Sequence, residues 1–444
     1  MHPNVTTATL PGKYHDAVER WRDMYLPDFQ FLLDNWDKYF PRDPKFRLCA
    51  YRQCGMCDVI EVGDAKGRPK YTRACDMAAE QSQHLLGAIR AQASTEFGSI
   101  QQHQLTLARA PDEEDQFWIL RMMAEELRHG YQMLHLMLED DWTGVSKQKS
   151  ADMVEEILAM QTGSHVLGAF NVDYDSFADN VMFCALIDRV GKYQLSMQKV
   201  SAYKPMAESM PPMLHEEAFH LATGVVPLRR WVTRAAAGEL YLSMDLLQRV
   251  LNKWLPRGLD MFGDERGGGT NVRYGLKTMK NSEALNQYYE EVLKMLGDLN
   301  VRYIRARLPQ LSAEEADTLL ERVQTHRETV QGIADVDLLR IPDRRFFRRK
   351  GMYAFQMVGT MGETFTDVNA FGRDLVNHLP EAYRAGRDFK DYWQIVGQVA
   401  AGQMTAGDAA KKMPALRRVG GVCPCSRAVR WVQDEPGKGG NGKT

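Results

Sequence analysis

A chain of 444 residues, 44 % apolar and with a formal net charge of −2, has the length for one large domain or two to three ordinary ones and the apolar content of a globular core. Its near-neutral charge gives no electrostatic case for nucleic acid or an anionic membrane, and no apolar run approaches the ~20 residues that span a bilayer. The opening MHPNVTTATLPGKYH lacks the basic and apolar regions of a secretory signal, so the expectation is a soluble cytoplasmic protein.

Aromatic and apolar residues recur at three- and four-residue spacing from Tyr14 through Trp21, Tyr25, Phe29 and Leu32 to Trp36 and Phe40. That pattern predicts one or two docking helices, broken at Pro27. The character changes at 46–75, where VIEVGDAKGRPKYT predicts a hairpin with a Gly/Lys-rich turn. Seven cysteines, an odd count, argue against a disulfide framework. Cys49, Cys54 and Cys57 match part of the plant-type ferredoxin spacing, and with Cys75 they also suit structural zinc. CAYRQCGMC nevertheless carries bulky residues where a small-residue loop would wrap a cluster. Free thiols are expected here, with zinc or an iron–sulfur cluster as alternatives.

From about 76 to 250 the periodicity is helical. Asp112 is a candidate N-cap before acidic residues, Asp173 or Asp175 caps the next helix, and the prolines of SMPPM mark a helix start. FGDERGGGTNVRYG (262–275) lacks phosphate-loop order and reads as a surface loop. Residues 281–308 and 313–333 are helical again, and 345–366 predict two short strands around a glycine-containing turn. The Cys423-Pro-Cys425 pair reads as structural and the tail GKGGNGKT as disordered. The expected organisation is docking helices and a hairpin over 1–75, a helical bundle over 76–250, and further helices with a small β element and the tail over 251–444. The fold class is mainly α, with small β-hairpins near both ends.

Two stretches carry the chemistry: RMMAEELRHG (121–130) and PPMLHEEAFH (211–220). Each contains Glu-Glu-x-x-His. Residues three apart on a helix lie about 60° apart around its axis, so Glu126 and His129 share a face, as do Glu217 and His220. Each pair is half a transition-metal site, and imidazole with carboxylate suits iron or manganese better than calcium. Two such helices plus one acid from each of two others make the dinuclear carboxylate site of ferritin-like four-helix bundles. One helical hairpin upstream stand Glu96, 30 residues before Glu126, and Asp188, 29 before Glu217. Their flanks are apolar, and unpaired acids there would be costly to bury. Four carboxylates would balance two Fe(II) ions, with two histidines completing the set. Glu125 and Glu216 lie about 100° from their neighbours and are expected to accept the outer N–H of the ligating histidines, with Arg128 pairing one of them. His84, His103, His135, His165 and His215 lack such companions and read as surface or hydrogen-bonded core residues.

A carboxylate-rich iron pair can pass two electrons to O2, serving iron storage, radical generation or oxygenation of an organic substrate. Storage bundles are short, whereas this chain adds long segments around one. The radical reading resembles the small subunit of ribonucleotide reductase, in which a tyrosine stands four residues after the first motif's histidine; here that residue is Met133, and Tyr131 faces elsewhere. Oxygenation remains. The runs HVLGAFNVDYDSFADNVMFCALIDRVGKYQL and MLHEEAFHLATG, with STEFGSIQQ and MAEELRHG, resemble the oxygenase-component family of benzoyl-CoA 2,3-epoxidase, and weaker likeness continues through GLKTMKNSE and RIPDRRFFRRKGMYAF. The order Glu96, Glu126, His129, Asp188, Glu217, His220 matches that family's six ligands, including Asp in fourth place. The resemblance implies a di-iron centre, O2 as co-substrate, an aryl-CoA substrate such as benzoyl-CoA, and a separate NAD(P)H-dependent flavin and iron–sulfur reductase. It also carries over Gln92, one turn before Glu96, as a residue near the substrate ring. Another acyl-CoA, a carrier-bound acid, or a non-catalytic di-metal (Fe/Mn) role would fit the same centre. The basic RRFFRRK (344–350) reads as a solvated or ion-paired face, with CoA phosphates as the alternative.

Overall fold

The computed structural model describes residues 4–341, apart from 175, 240–242 and 264–268, together with short pieces between 357 and 408. The chain forms two units. The first comprises residues 1–172, 183–224 and 261–288; the second comprises 173–182, 225–260 and 289–444.

In the first unit, strand β1 (Val5–Ala8) pairs antiparallel with β2 (Ala50–Gln53), Val5 opposite Gln53 and Ala8 opposite Ala50. Between them run α1 (Gly12–Tyr25), α2 (Phe29–Asp34) and α3 (Trp36–Tyr39), so the aromatic stretch does break at Pro27. The hairpin expected at VIEVGDAKGRPKYT reduces to a tight return held by the single bridge Val59–Pro69. The strand of this region is β2 instead, whose paired residues on β1 lie 42 to 48 positions upstream, a pairing that local alternation does not reveal.

The core of this unit is built on α4 (Ala79–His103), α5 (Glu113–Glu139), residues 183–198 of α7 (Phe177–Gln198) and residues 204–224 of α8 (Lys204–Ala236). Helices α4 and α5 run antiparallel, since Phe97 meets Gly130 while the segment before α4 meets the end of α5 through Ala74 N–H to Asp140, 2.6 Å. Helices α7 and α8 do the same, with Gly191 against Glu217 and Gly224 against Ala185. The α5–α8 pair is also antiparallel: Gln132 bonds Ser209 at 2.8 Å, and His220 bonds Glu125 at 3.1 Å. Helices α5 and α7 therefore point the same way. The chain must travel the length of the bundle between them, and it does so through α6 (Ser150–Ala159). One long crossover in a four-helix bundle is the ferritin-like connection. Among the described residues, no helix is long and apolar enough to cross a membrane.

Helix boundaries depart from expectation in two places. Helix α7 starts after Ser176, whose backbone N–H donates to Asp179 Oδ2 at 3.0 Å, so Ser176 rather than Asp173 stands at its start; Asp175 lies outside the described residues. Helix α8 does not begin at SMPPM. It starts at Lys204, with Pro205 in its first turn, and runs through Pro211 and Pro212. Interior prolines cost helix hydrogen bonds. Burial of Met206, Ala207, Met210 and Met213 on the inward stripe holds the backbone helical across them.

The second unit contains α9 (Met244–Asp260), most of α11 (Asn281–Arg307) and α12 (Ala313–His326); the short α10 (Thr270–Arg273) belongs to the first. Helix α12 opens on a capping box between Ser312 and Glu315 and ends at His326 rather than 333, because Arg327 turns left-handed (φ 57°). Asn300 and Leu339 exchange reciprocal bonds of 2.9 and 2.8 Å that pin the segment after α12. Strands β3 (Met357–Val358) and β4 (Thr364–Phe365) pair antiparallel within the predicted 345–366 stretch. RRFFRRK, Cys423, Cys425 and the glycine-rich tail lie outside the described residues.

Candidate metal centre

Each bundle helix of the first unit brings one carboxylate to its interior: Glu96 from α4, Glu126 from α5, Asp188 from α7 and Glu217 from α8. None is more than 7 % exposed, and His129 and His220 are sealed at 1 % and 0 %. Glu126, His129, Glu217 and His220 offer ligand atoms that all lie within 4.8 Å of one another. Glu96 Oε2 flanks this group, 3.7 Å from His129 Nδ1. Glu126 Oε1 and Glu217 Oε2 stand 3.3 and 3.7 Å from His220 Nδ1. Asp188 completes the ring of acids and accepts a hydrogen bond from the buried thiol of Cys184.

The other nitrogens of the two rings point outward and cross over. His129 Nε2 lies 2.9 Å from Glu216 Oε2, and His220 Nε2 lies 3.1 Å from Glu125 Oε2. Each Glu-Glu-x-x-His helix thus supplies the acceptor for the other's histidine. Both acceptors are charge-paired in turn: Glu216 with Arg128, and Glu125 with Arg121 at 3.0 Å. Arg128 also lies over Phe46 and Tyr51 at 4.8 and 4.9 Å. An outer carboxylate of this kind fixes the tautomer so that Nδ1 is the free lone pair facing inward.

Burial pushes Glu126 and Asp188 up to about 8, with the charge of a neighbouring carboxylate adding to each. Burial also raises Glu96, and raises Glu217 well above its ordinary value. His129 is driven by burial down to about 3. Burial opposes charge on His220 too, but its bond to Glu125 and the negative charges of Glu126 and Glu217 beside it lift it well above the usual imidazole range. Four buried acids that all hold their protons more tightly than in water mark a site short of positive charge. His129 Nδ1, His220 Nδ1, Asp188 Oδ2 and Glu217 Oε2 are buried without a hydrogen-bond partner. These are lone pairs on a mixed nitrogen and oxygen donor set, the chemistry that iron or manganese takes. The residues present fit a pair of divalent transition-metal ions.

Beside the acids opens a cavity of about 200 Å³, lined by all four of them and walled by Leu167, Phe170, Phe183 and Ile187. Gln92 lines it as well; its Nε2 donates to Glu96 Oε1 at 3.2 Å, and its buried Oε1 has no partner. Residues that sequence reading passed over also shape the site. Ser99 donates to Glu126 Oε2 at 3.2 Å. Gly191 lets Glu217 in, since a Cβ there would stand 2.8 Å from its Oε1. Arg121 could have been found by its i, i+4 spacing to Glu125; Lys277, on a distant segment, carried no such signal.

The other histidines stay apart from the acids. His165 sits between Ser94 and Gln101, His103 packs against Phe183, His135 pairs with Glu139, and His84 and His215 are exposed. Tyr131 turns away, its hydroxyl accepting from Leu10 N–H at 2.7 Å and touching His15. Cys49 is a buried free thiol, and Cys54, Cys57 and Cys75 are exposed free thiols. Among the described residues they join no metal-holding group, so neither zinc nor an iron–sulfur cluster has support there.

The chain is 25 % identical over 337 residues to benzoyl-CoA oxygenase component B of Aromatoleum evansii, covering 69 % of this chain and 70 % of that protein. Residues 70–343, which hold every residue of the centre described above, match the family described as phenylacetic acid catabolic protein. That match takes in more than half of the sequence, and the chain belongs to the phenylacetic acid catabolic protein family.

Proposed function

We propose that this protein is the oxygenase component of a multicomponent enzyme that uses a di-iron centre, O2 and two external electrons to epoxidise the ring of an aryl-CoA thioester. Glu96, Glu126, His129, Asp188, Glu217 and His220 would hold the two irons. The observation that carries the reading is that the four buried acids line a cavity that also presents the apolar and aromatic side chains of Leu167, Phe170, Phe183 and Ile187. A space of about 150 Å³ admits benzene, so this cavity takes an aromatic acyl group while the CoA moiety lies outside it. Two irons held here would supply the redox chemistry for O2, with one oxygen atom ending in the ring and the other in water, drawing on two external electrons and two protons.

The protein's own work is positional. Glu125 and Glu216 hold the imidazoles with Nδ1 inward. Phe170, Phe183 and Ile187 hold the ring and keep water out. Gln92 stands at the junction of Glu96 and the cavity, where its free Oε1 meets the substrate. The name of the Aromatoleum relative, component B of an oxygenase, supports separate partner components, and the electron donor of our reading is a separate NAD(P)H-dependent flavin and iron–sulfur reductase.

The test bypasses the unknown reductase. Iron-loaded protein is reduced chemically without air, given benzoyl-CoA or phenylacetyl-CoA, and exposed to isotopically labelled O2. One labelled oxygen atom in the acyl product of either thioester is the expected result. Full iron loading with no incorporation into either would refute the oxygenase reading and leave a non-catalytic di-metal protein.

A further inference from the structure

Lys277 lines the same cavity and is only 8 % exposed. Its Nζ donates to Gln194 Oε1 at 2.7 Å and to Asn281 Oδ1 at 3.2 Å. Asn281 Nδ2 donates to the Phe262 carbonyl at 3.0 Å, so its oxygen is the end that faces the lysine. An ammonium has three N–H donors. Two go to neutral amides here, and no described carboxylate pairs with the group. Lys253, the fully buried lysine of the second unit, has Asp179 at 2.8 Å. A buried cation without a counter-charge is expensive, and burial accordingly pulls Lys277 down to about 8. Gln198, on the same helix as Gln194 and also lining the cavity, leaves a buried Oε1 without a partner.

The cavity is therefore lined by two unlike groups, the acids and the lysine. Gln194 stands six residues beyond Asp188 on α7, about 9 Å at a rise of 1.5 Å per residue. That is the span of an aromatic ring resting on the acids, followed by an electronegative atom at the lysine. We infer that Lys277, steadied by Gln194 and Asn281, donates its remaining N–H to the carbonyl oxygen of the acyl group and so fixes which edge of the ring faces the metal centre. This rests on the aryl-CoA reading above.

The experiment compares equilibrium binding of benzoyl-CoA with that of S-benzyl-CoA, the thioether in which a methylene replaces the carbonyl. Both are titrated into iron-loaded wild type and Lys277→Met under anaerobic conditions. A hydrogen bond from a charged donor is worth about 10- to 100-fold in affinity. Wild type is expected to favour the thioester by that factor, and Lys277→Met to lose the preference while binding the thioether as wild type does. Wild type that binds both equally overturns the inference and leaves the aryl-CoA reading standing; this comparison needs no variant and survives a Lys277→Met that does not fold. A variant that keeps the full preference also overturns it. Wild type that binds neither thioester nor thioether overturns the aryl-CoA reading and the inference together.

Discussion

Removing metal should give the protein a pH dependence of stability that metal then reverses. Between pH 6.5 and 8 the unfolded chain has shed the protons of its acids, whereas the folded centre keeps protons on Glu126 and Asp188, each pushed up to about 8. His220, raised in the fold, acts in the same direction. The folded state binds more protons in this window, so unfolding free energy falls as pH rises. His129, lowered to about 3, and His135 and His165, lowered to about 4, oppose this trend at the lower edge of the window, where the unfolded imidazoles are still partly protonated, and fade as pH rises. Lys277, lowered to about 8, opposes it at the upper edge, so the fall is steepest in the middle of the interval. Each retained proton is worth 1.36 kcal/mol per pH unit; one or two protons over this interval give a loss of about 2–4 kcal/mol. The assay is urea unfolding of chelator-treated protein at several pH values, repeated with Fe(II) or Mn(II). Metal binding displaces those protons and strengthens with pH, so the slope should change sign on loading. A metal-free protein whose stability is flat or rises from pH 6.5 to 8 would refute the argument that the acids share one buried, charge-deficient site.

Asp188→Ala and Glu217→Ala should each bring iron content, measured by mass spectrometry, well below two per chain; full occupancy in either would remove that residue from the ligand set. Glu216→Gln keeps the shape but weakens the acceptor at His129 Nε2 and the partner of Arg128. It should lower metal affinity about 10- to 100-fold in a chelator competition, and an unchanged affinity would count against the crossed pairing. Tyr131→Phe leaves the Leu10 N–H buried without its acceptor, which should cost about 1–3 kcal/mol in urea unfolding while labelled-oxygen incorporation persists.

The centre was legible because helical geometry converts spacing into direction. Glu126 and His129 share a face whatever surrounds them, and offsets of 30 and 29 residues place Glu96 and Asp188 one antiparallel hairpin away. Features set by distant partners were not legible. Strand β1 finds β2 across three helices, and Pro211 and Pro212 look like a helix start until the buried methionine stripe around them is seen. Gly191 reads as an ordinary helix glycine until Glu217 is found against it. Lys277 lies beyond the glycine-rich loop, and nothing in its neighbourhood announces that it lines the cavity of the acids.

The doubling of glutamate in both motifs follows from the crossing of the outer bonds. On a single helix, the glutamate next to a ligand is turned too far to serve the same metal or its own helix's histidine. Across an antiparallel pair the turn becomes useful: Glu125 leaves the face of Glu126 and meets His220, while Glu216 leaves the face of Glu217 and meets His129. The two helices are thereby locked in one register, because sliding either by a turn would break both histidine bonds at once. A chain with a single Glu-x-x-His helix would gain nothing from the extra glutamate. Its presence twice, with Arg121 and Arg128 neutralising each copy, indicates that α5 and α8 work as one unit built to hold two imidazoles at a fixed separation.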